Sequence, residues 1–90
     1  MPDAKKERTV NIIMGSKTLD KIKKGTYFTI EKLPSGIIKV QLIRLGLSEG
    51  DTIFCLERLP GGTIIVQKNR QEIAIGFELA KLISVRIKII

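Results

Sequence analysis

The 90-residue chain contains no histidine and no tryptophan, and it has a single cysteine, Cys55. Without an imidazole, it lacks the usual general base that would activate a cysteine or serine nucleophile. A lone cysteine cannot form an intramolecular disulfide, and Cys55 lies within an apolar run, where a buried thiol packs as a small hydrophobic group. The composition therefore argues against nucleophilic catalysis, and nothing in it indicates an oxidising compartment.

Metal ligands are equally scarce. A transition-metal site needs histidines, several thiolates or converging carboxylates. The candidate ligands are Glu49 and Asp51, a few residues before Cys55, and their spacing matches no recognised ligand pattern. The other carboxylates fall at predicted turns, helix edges or outward strand positions, where a solvated charge is expected. We therefore expect no catalytic residue, no metal ligand and no cofactor, and we predict that the protein is not an enzyme.

Long apolar runs are also missing. No segment approaches the roughly 18 to 20 apolar residues that are needed to cross a bilayer. The amino-terminal segment MPDAKKERTV lacks the apolar core of a signal peptide. We therefore expect a cytoplasmic protein.

Positive charge is what the chain has in excess. Sixteen Lys and Arg residues against nine Asp and Glu residues give a formal net charge of +7. This balance suits an anionic partner, either nucleic acid or an anionic membrane surface, although a solvated basic surface is a simpler interpretation. Basic residues cluster near the amino terminus at Lys5, Lys6, Arg8, Lys17, Lys21, Lys23 and Lys24. With Tyr27, Phe28 or Phe54 as stacking surfaces, a nucleic-acid-binding small barrel is one alternative.

Chain length supports one domain with one modest core. We divide the chain into an extension over 1–17, which is either partly disordered or an added strand, and a folded domain over 18–90. Alternating apolar residues predict strands in TYFTIEKL, DTIFCLERL, TIIVQKN, EIAI and SVRIKII. The turns Leu59-Pro60-Gly61-Gly62 and Asn69-Arg70-Gln71 join neighbouring strands as hairpins.

Three short helices are predicted between the strands: TLDKIKKG, a segment beginning at Ile37, and FELAKLI, in which Phe77, Ala80 and Ile83 share one face. The apolar residues from Ile37 to Leu47 are dense enough that a buried strand competes. We prefer a helix that is buried on most sides and is closed by Gly46 in a left-handed conformation. Together these elements predict a mainly β fold, a small barrel with two or three short helices.

Several of these positions form a recognisable set. They are Leu19, Ile22, Lys24 and Gly25 in the opening turn; Leu42, Leu45, Gly46 and Leu47 at the helix end; Gly50 and Ile53 in the next strand; Pro60, Gly61 and Gly62 in the hairpin; and Ile73, Ile75, Ala80, Ile83 and Val85 towards the end. In this pattern the chain from Thr18 to Val85 resembles the ferrous iron transport protein A (FeoA) family. It departs from that family at Gln41, where an arginine is usual, and around Arg70, where a glycine commonly turns the hairpin.

The resemblance implies a Src-homology-3-like barrel that serves bacterial ferrous iron uptake as an accessory protein. Its implied partner is the cytoplasmic GTPase part of the iron permease, with the anionic face of the inner membrane nearby. The same barrel occurs as a protein-interaction domain in iron-dependent transcriptional regulators, which is a second alternative. A third, a barrel that binds proline-rich peptides, is disfavoured because only 4% of the residues are aromatic.

Four residues are our candidates for partner binding: Lys39, Arg44, Phe54 and Arg58. Lys39 and Arg44 are polar exceptions in the apolar helix. Phe54 and Arg58 lie on the outward face of their strand, opposite Ile53 and Cys55. A homo-oligomer formed through β-prone terminal segments is a further expectation for the assembly.

Overall fold

The computed structural model describes residues 16–89, so the predicted extension lies almost wholly outside the described residues. Six strands are present: β1 Lys17–Thr18, β2 Tyr27–Lys32, β3 Thr52–Arg58, β4 Ile64–Lys68, β5 Gln71–Ile75 and β6 Ser84–Lys88. The helices are a 3-10 helix at Leu19–Lys21, α1 at Ile37–Arg44 and α2 at Phe77–Ala80.

All six strands belong to one antiparallel sheet in the order β1-β6-β2-β3-β4-β5. The pairing register shifts between Ile30 and Lys32 of β2 and between Cys55 and Glu57 of β3. Such irregularities bend a strand and increase its twist, which lets one face of a sheet wrap around a core. The predicted fold class is confirmed: the protein is mainly β, a small Src-homology-3-like barrel with short helices.

The inner face of the sheet supplies most of the core. Its buried residues alternate along the strands: Phe28, Ile30, Ile53, Cys55, Ile64, Val66, Ile73, Ile75 and Val85. Burial raises the pKa of the Cys55 thiol. Phe28 is only 1% exposed, so our suggestion that it could stack on a nucleic-acid base is wrong. Leu59, which follows β3 in the predicted turn, is exposed.

The opening helix is much shorter than predicted. Instead of spanning TLDKIKKG, it is a single 3-10 turn, after which Ile22 is extended. Thr18 is paired with Ser84 of β6, and the Leu19 N–H donates to the Ile83 carbonyl at 2.9 Å. Pairing with β6 holds the chain up to Leu19, and the Gly25 N–H donates to the Cys55 carbonyl of β3 at 2.8 Å, so both ends of this segment are held by the sheet and not by a longer helix. Leu19 and Ile22 are nevertheless both buried.

The end of α1 is closed by a Schellman motif at Gly46. This glycine has a φ of 105°, its N–H donates to the Ile43 carbonyl at 2.9 Å, and the Leu47 N–H donates to the Leu42 carbonyl at 3.0 Å. Leu42 and Leu47 are both 1% exposed, which is the apolar contact that accompanies such a cap. The predicted left-handed cap is confirmed, and it turns the chain from α1 towards β3.

The rest of α1 differs from our expectation of a helix buried on most sides. Of its eight residues, all of which the structure describes, only Leu42 is buried. Ile37, Val40 and Ile43 are 75%, 50% and 47% exposed. Because the strands already fill the barrel, a helix of two turns adds a single inward side chain.

Phe77 is not buried with Ala80 and Ile83, although we predicted that the three residues share one face of a helix. Ala80 and Ile83 are buried, but Phe77 is 41% exposed. Its side chain packs on the β3–β4 turn, where a Cβ added to Gly62 would lie 2.8 Å from the Phe77 Cβ. The glycine is therefore needed both for its φ of 95° and for this close approach.

We predict that Gly46→Ala lowers the free energy of unfolding by about 1 to 2 kcal/mol, because an L-residue is strained at positive φ. Space is not limiting, since the nearest atom to an added Cβ is Gln71 Oε1 at 3.7 Å. Gly76→Ala is the matched control, because Gly76 has a φ of −68° and open space around it. Urea unfolding of the three proteins tests this prediction, and equal effects of the two substitutions would contradict it.

Candidate functional site

An apolar strip runs along the outer side of α1. Ile37, Val40 and Ile43 follow one another at intervals of three residues, so their side chains are neighbours on the helix surface. Leu42 points into the barrel from the other side of the helix. Exposed apolar residues that adjoin in this way mark interaction surfaces more often than isolated ones do. We call Ile37, Val40 and Ile43 the α1 strip.

Two predicted partner-binding residues, Lys39 and Arg44, lie on the same helix as the strip. Lys39 Nζ is 3.6 Å from the Glu49 carboxylate. Arg44 is exposed in the last turn of α1, and its side chain has no hydrogen bond or ion pair with residues 16–89. The helix therefore combines an apolar strip with two basic side chains, and Arg44 is the one whose charge is not paired within the described part of the chain.

Glu49 fixes the position of α1 relative to β2. Its Oε2 accepts a hydrogen bond from the Leu33 N–H at 3.0 Å, in addition to facing Lys39. The hydrogen bond from Leu33 is the main reason that the pKa of Glu49 is lowered, and the positive charge of Lys39 adds to the effect. The carboxylate thus joins the end of β2, the α1 helix and the loop before β3.

Asp51 and Lys68 hold the carboxyl-terminal end of α1. Asp51 Oδ2 accepts from the Ser48 N–H at 2.8 Å and from Lys68 Nζ at 2.7 Å, and Lys68 also donates to the Gly46 carbonyl. Glu49 and Asp51, the two acids considered as metal ligands, are thus both engaged in structural contacts. Within residues 16–89, no group of three or more His, Cys, Asp and Glu side chains could hold a metal ion.

Phe54 contributes to a cavity on the outward face of the sheet. Tyr27 of β2 pairs with Phe54 of β3, and the two ring centroids are 4.8 Å apart with the planes tilted by 50°. Next to these rings is a cavity of about 270 Å³, lined by Tyr27, Thr52, Phe54 and residues 67–70. The sequence pointed to Phe54 but missed Tyr27 as its neighbour. Alternation with the inward Phe28 places Tyr27 outward, yet only the β2–β3 register brings the two rings together.

Arg58, the fourth predicted residue, is built into the fold. Its Nη1 donates to the carbonyls of Asp20 and Ile22 at 2.9 and 2.6 Å. The guanidinium thereby ties the end of β3 to the 3-10 helix. The structure thus brings together only two of the four candidates, Lys39 and Arg44, and the binding role of all four stays a prediction.

The basic cluster that suggested nucleic-acid binding is partly engaged in ion pairs. Lys21 Nζ is 3.6 Å from Asp20, and Lys24 Nζ is 3.1 Å from Glu57. Lys5, Lys6 and Arg8 lie outside the described residues. With Phe28 buried as well, the described part of the chain offers less to a nucleic acid than the sequence suggested.

The observations above agree with a comparison of the chain with known families, in which the model of the FeoA domain matches residues 17–87. The chain belongs to the FeoA domain family. A crystal structure described as an iron uptake regulatory protein (FeoA) is 31% identical to the chain and superposes with a TM-score of 0.73, covering 82% of this chain and 100% of that one. The family is associated with iron uptake.

Two further structures share the fold. The FeoA protein from Chlorobium tepidum, solved by NMR in solution, is 25% identical, with a TM-score of 0.71, and the match covers 79% of this chain and 70% of that one. A manganese-dependent transcriptional repressor is 18% identical, with a TM-score of 0.72 and coverage of 81% and 42%. The likeness to the repressor shows the fold alone. A comparison with curated protein sequences gave no significant match.

The FeoA resemblance seen in the sequence is confirmed, and the structure explains its central motif physically. Gly46 is the left-handed residue of the α1 cap, and the apolar contact of that cap is made by Leu42 and Leu47. In the part of the chain that the structure describes, no helix is long and apolar enough to span a membrane.

The contacts of Glu49 predict a pH-dependent stability. Because its pKa is lowered on folding, its contribution is present above the ordinary value of 4.5 and is lost as the pH falls through the lowered pKa. A neutral amide at this position can accept from Leu33 at any pH. We therefore expect the melting temperature of Glu49→Gln to fall less than that of the parent protein between about pH 6 and about pH 3.

Thermal unfolding followed by circular dichroism at both pH values measures this difference. Glu72→Gln is the control, because Glu72 is exposed on β5 and its side chain has no partner within residues 16–89. It should keep the pH dependence of the parent. If Glu49→Gln also keeps the pH dependence of the parent, the hydrogen bond from Leu33 to Glu49 does not govern the acid sensitivity of the protein.

Proposed function

We propose that this FeoA-domain protein is a non-enzymatic accessory of ferrous iron uptake. In this proposal it works in the cytoplasm, near the inner membrane, and binds and modulates the GTPase part of the iron permease. The α1 strip is the observation that carries the proposal, together with membership of a family associated with iron uptake.

The strip has the character of a protein-binding surface. A helix on the surface of a globular protein normally turns polar residues outward. Here the outward residues Ile37, Val40 and Ile43 are apolar, and each is about half exposed or more. Burying such side chains in a partner releases water from apolar surface. Lys39 and Arg44 add positive charge beside the strip, so an acidic rim on the partner would be complementary.

The alternatives use this surface differently. A nucleic acid would be held mainly by cations on its phosphates and would leave three aliphatic side chains exposed. A protein-interaction domain like those of transcriptional regulators would use the same strip with another partner, and the fold shared with the manganese-dependent repressor keeps this as the second candidate. The identity of the protein partner is therefore what has to be tested.

We expect Val40→Lys to weaken binding to the isolated cytoplasmic GTPase domain of the permease by at least about tenfold, because a charge would be buried in the contact. Isothermal titration with and without guanine nucleotide measures the affinity. Leu82→Lys is the matched control, because Leu82 and Val40 are both 50% exposed and Leu82 lies outside α1. Arg44→Ala should weaken binding less than Val40→Lys and should reduce its salt dependence.

Absence of binding by the parent protein under both nucleotide conditions would reject the permease as partner. Equal losses in Val40→Lys and Leu82→Lys would reject the α1 strip as the contact. Tight binding to single- or double-stranded DNA at physiological salt, retained in Val40→Lys, would favour the nucleic-acid alternative instead. Light scattering of each variant checks that self-association does not account for any change.

A further inference from the structure

The tip of the β4–β5 hairpin carries an arginine where the backbone favours glycine. Lys68 pairs with Gln71, which leaves Asn69 and Arg70 as a two-residue loop with φ values of 50° and 69°. Positive φ at both positions is the type I′ turn of tight hairpins, whose second position usually holds glycine. Asparagine tolerates this conformation well, but an arginine is strained in it. Strain of this kind is often kept where a side chain has a function.

The side chain of Arg70 belongs to the cavity beside Tyr27 and Phe54. It has no hydrogen bond or ion pair with any of the residues 16–89. The other cation of the lining, Lys68, is engaged by Asp51 and by the Gly46 carbonyl. No acidic side chain lines the cavity within the described part of the chain. As far as residues 16–89 are concerned, the cavity therefore offers an aromatic notch together with one guanidinium that has no partner.

We propose that this cavity, which we call the Arg70 cavity, binds an acidic segment of an extended peptide. An aliphatic or proline side chain of the peptide lies against the rings of Tyr27 and Phe54, and an adjacent carboxylate accepts hydrogen bonds from Arg70. Tyr27 and Phe54 are one pair of rings, which can hold one such side chain. The longer aromatic-lined groove of domains that bind proline-rich peptides would need more aromatic residues than this chain has, so the carboxylate held by Arg70 is an essential part of the proposal. A guanidinium matches a carboxylate through two parallel hydrogen bonds, which gives orientation as well as attraction.

A peptide fits the cavity better than a nucleotide does. The volume of about 270 Å³ lies at the lower end of the range of about 300 to 1,000 Å³ that holds small-molecule ligands. It suits one or two side chains of a longer chain. The planes of the two rings are tilted by 50° to each other, so the rings form an angular notch. A flat base would need two parallel rings to stack between, and the site does not have them. The cavity shares no residue with the α1 strip, and the proposal does not depend on which protein that strip contacts.

Amide chemical shifts of the ¹⁵N-labelled protein provide the test. The probe is a synthetic pool of heptapeptides with a Leu-Pro centre and Asp or Glu at every flanking position, and the control pool carries Asn or Gln at those positions. We expect the acidic pool to shift the amides of Phe54, Asn69 and Arg70, with a dissociation constant of about 0.1 to 1 mM. The amide pool should cause no shift at the same concentration.

Arg70→Gly should weaken binding of the acidic pool by about tenfold, since a charge-assisted hydrogen bond is lost. It should melt at the same temperature as the parent or higher, because glycine relieves the positive φ. Asn69→Gly is the matched control, since it changes the same turn but keeps the guanidinium, and it should bind normally. Phe54→Leu should also weaken binding, because it removes one ring of the notch.

Three results would overturn the proposal. One is no shift with the acidic pool at about 5 mM. Another is an equal response to both pools. The last is unchanged affinity in both Arg70→Gly and Arg70→Gln. Tighter binding of guanosine monophosphate than of the peptides, with shifts at the same amides, would assign the cavity to nucleotides instead.

Discussion

The reversal of the backbone at Gly46 is the constraint on which the rest of the molecule depends. It allows Leu42 and Leu47 to enter the core from opposite sides of one glycine, and its carbonyl accepts from Lys68 of β4. Lys68 in turn binds Asp51, just before β3. One left-handed residue therefore sets the direction of α1, the start of β3 and the position of the β4–β5 hairpin. The outward side of α1 and the cavity beside Phe54 are both placed by it.

The strand pattern and the turns could be predicted because their causes are local. Alternation along β2 places Phe28 and Ile30 on one apolar face whatever the partner strand is, and it argues against the stacking role that we suggested for Phe28. The preference of glycine for positive φ identifies the cap at Gly46 in the same way. The FeoA resemblance depends on these local requirements, since its most specific element is a helix cap followed by a strand.

Other features depend on contacts between distant residues, and the sequence could not supply them. Whether α1 is buried depends on how completely the strands fill the barrel. The helix would have the same number of apolar residues whether it were buried or exposed, so its sequence cannot decide between the two. The pairing of Tyr27 with Phe54 depends on the β2–β3 register. Arg58 looked like a free outward cation because its acceptors, the carbonyls of Asp20 and Ile22, are 38 and 36 positions away in the chain. From the sequence, Lys39, Arg44 and Phe54 could thus be named as candidates, but neither the exposed α1 strip nor the cavity beside Phe54 could be predicted.

The burial of Cys55 has a practical consequence for the study of the molecule. It is the chain's single cysteine, its side chain is fully buried in the core, and burial raises the pKa of its thiol. Since the thiolate is the reactive form, the native cysteine reacts slowly with alkylating reagents while the protein is folded. A cysteine introduced on the surface can therefore carry a fluorophore, a spin label or a cross-linker in an otherwise unchanged background. Distances from α1 to a bound partner become measurable without first rebuilding the core.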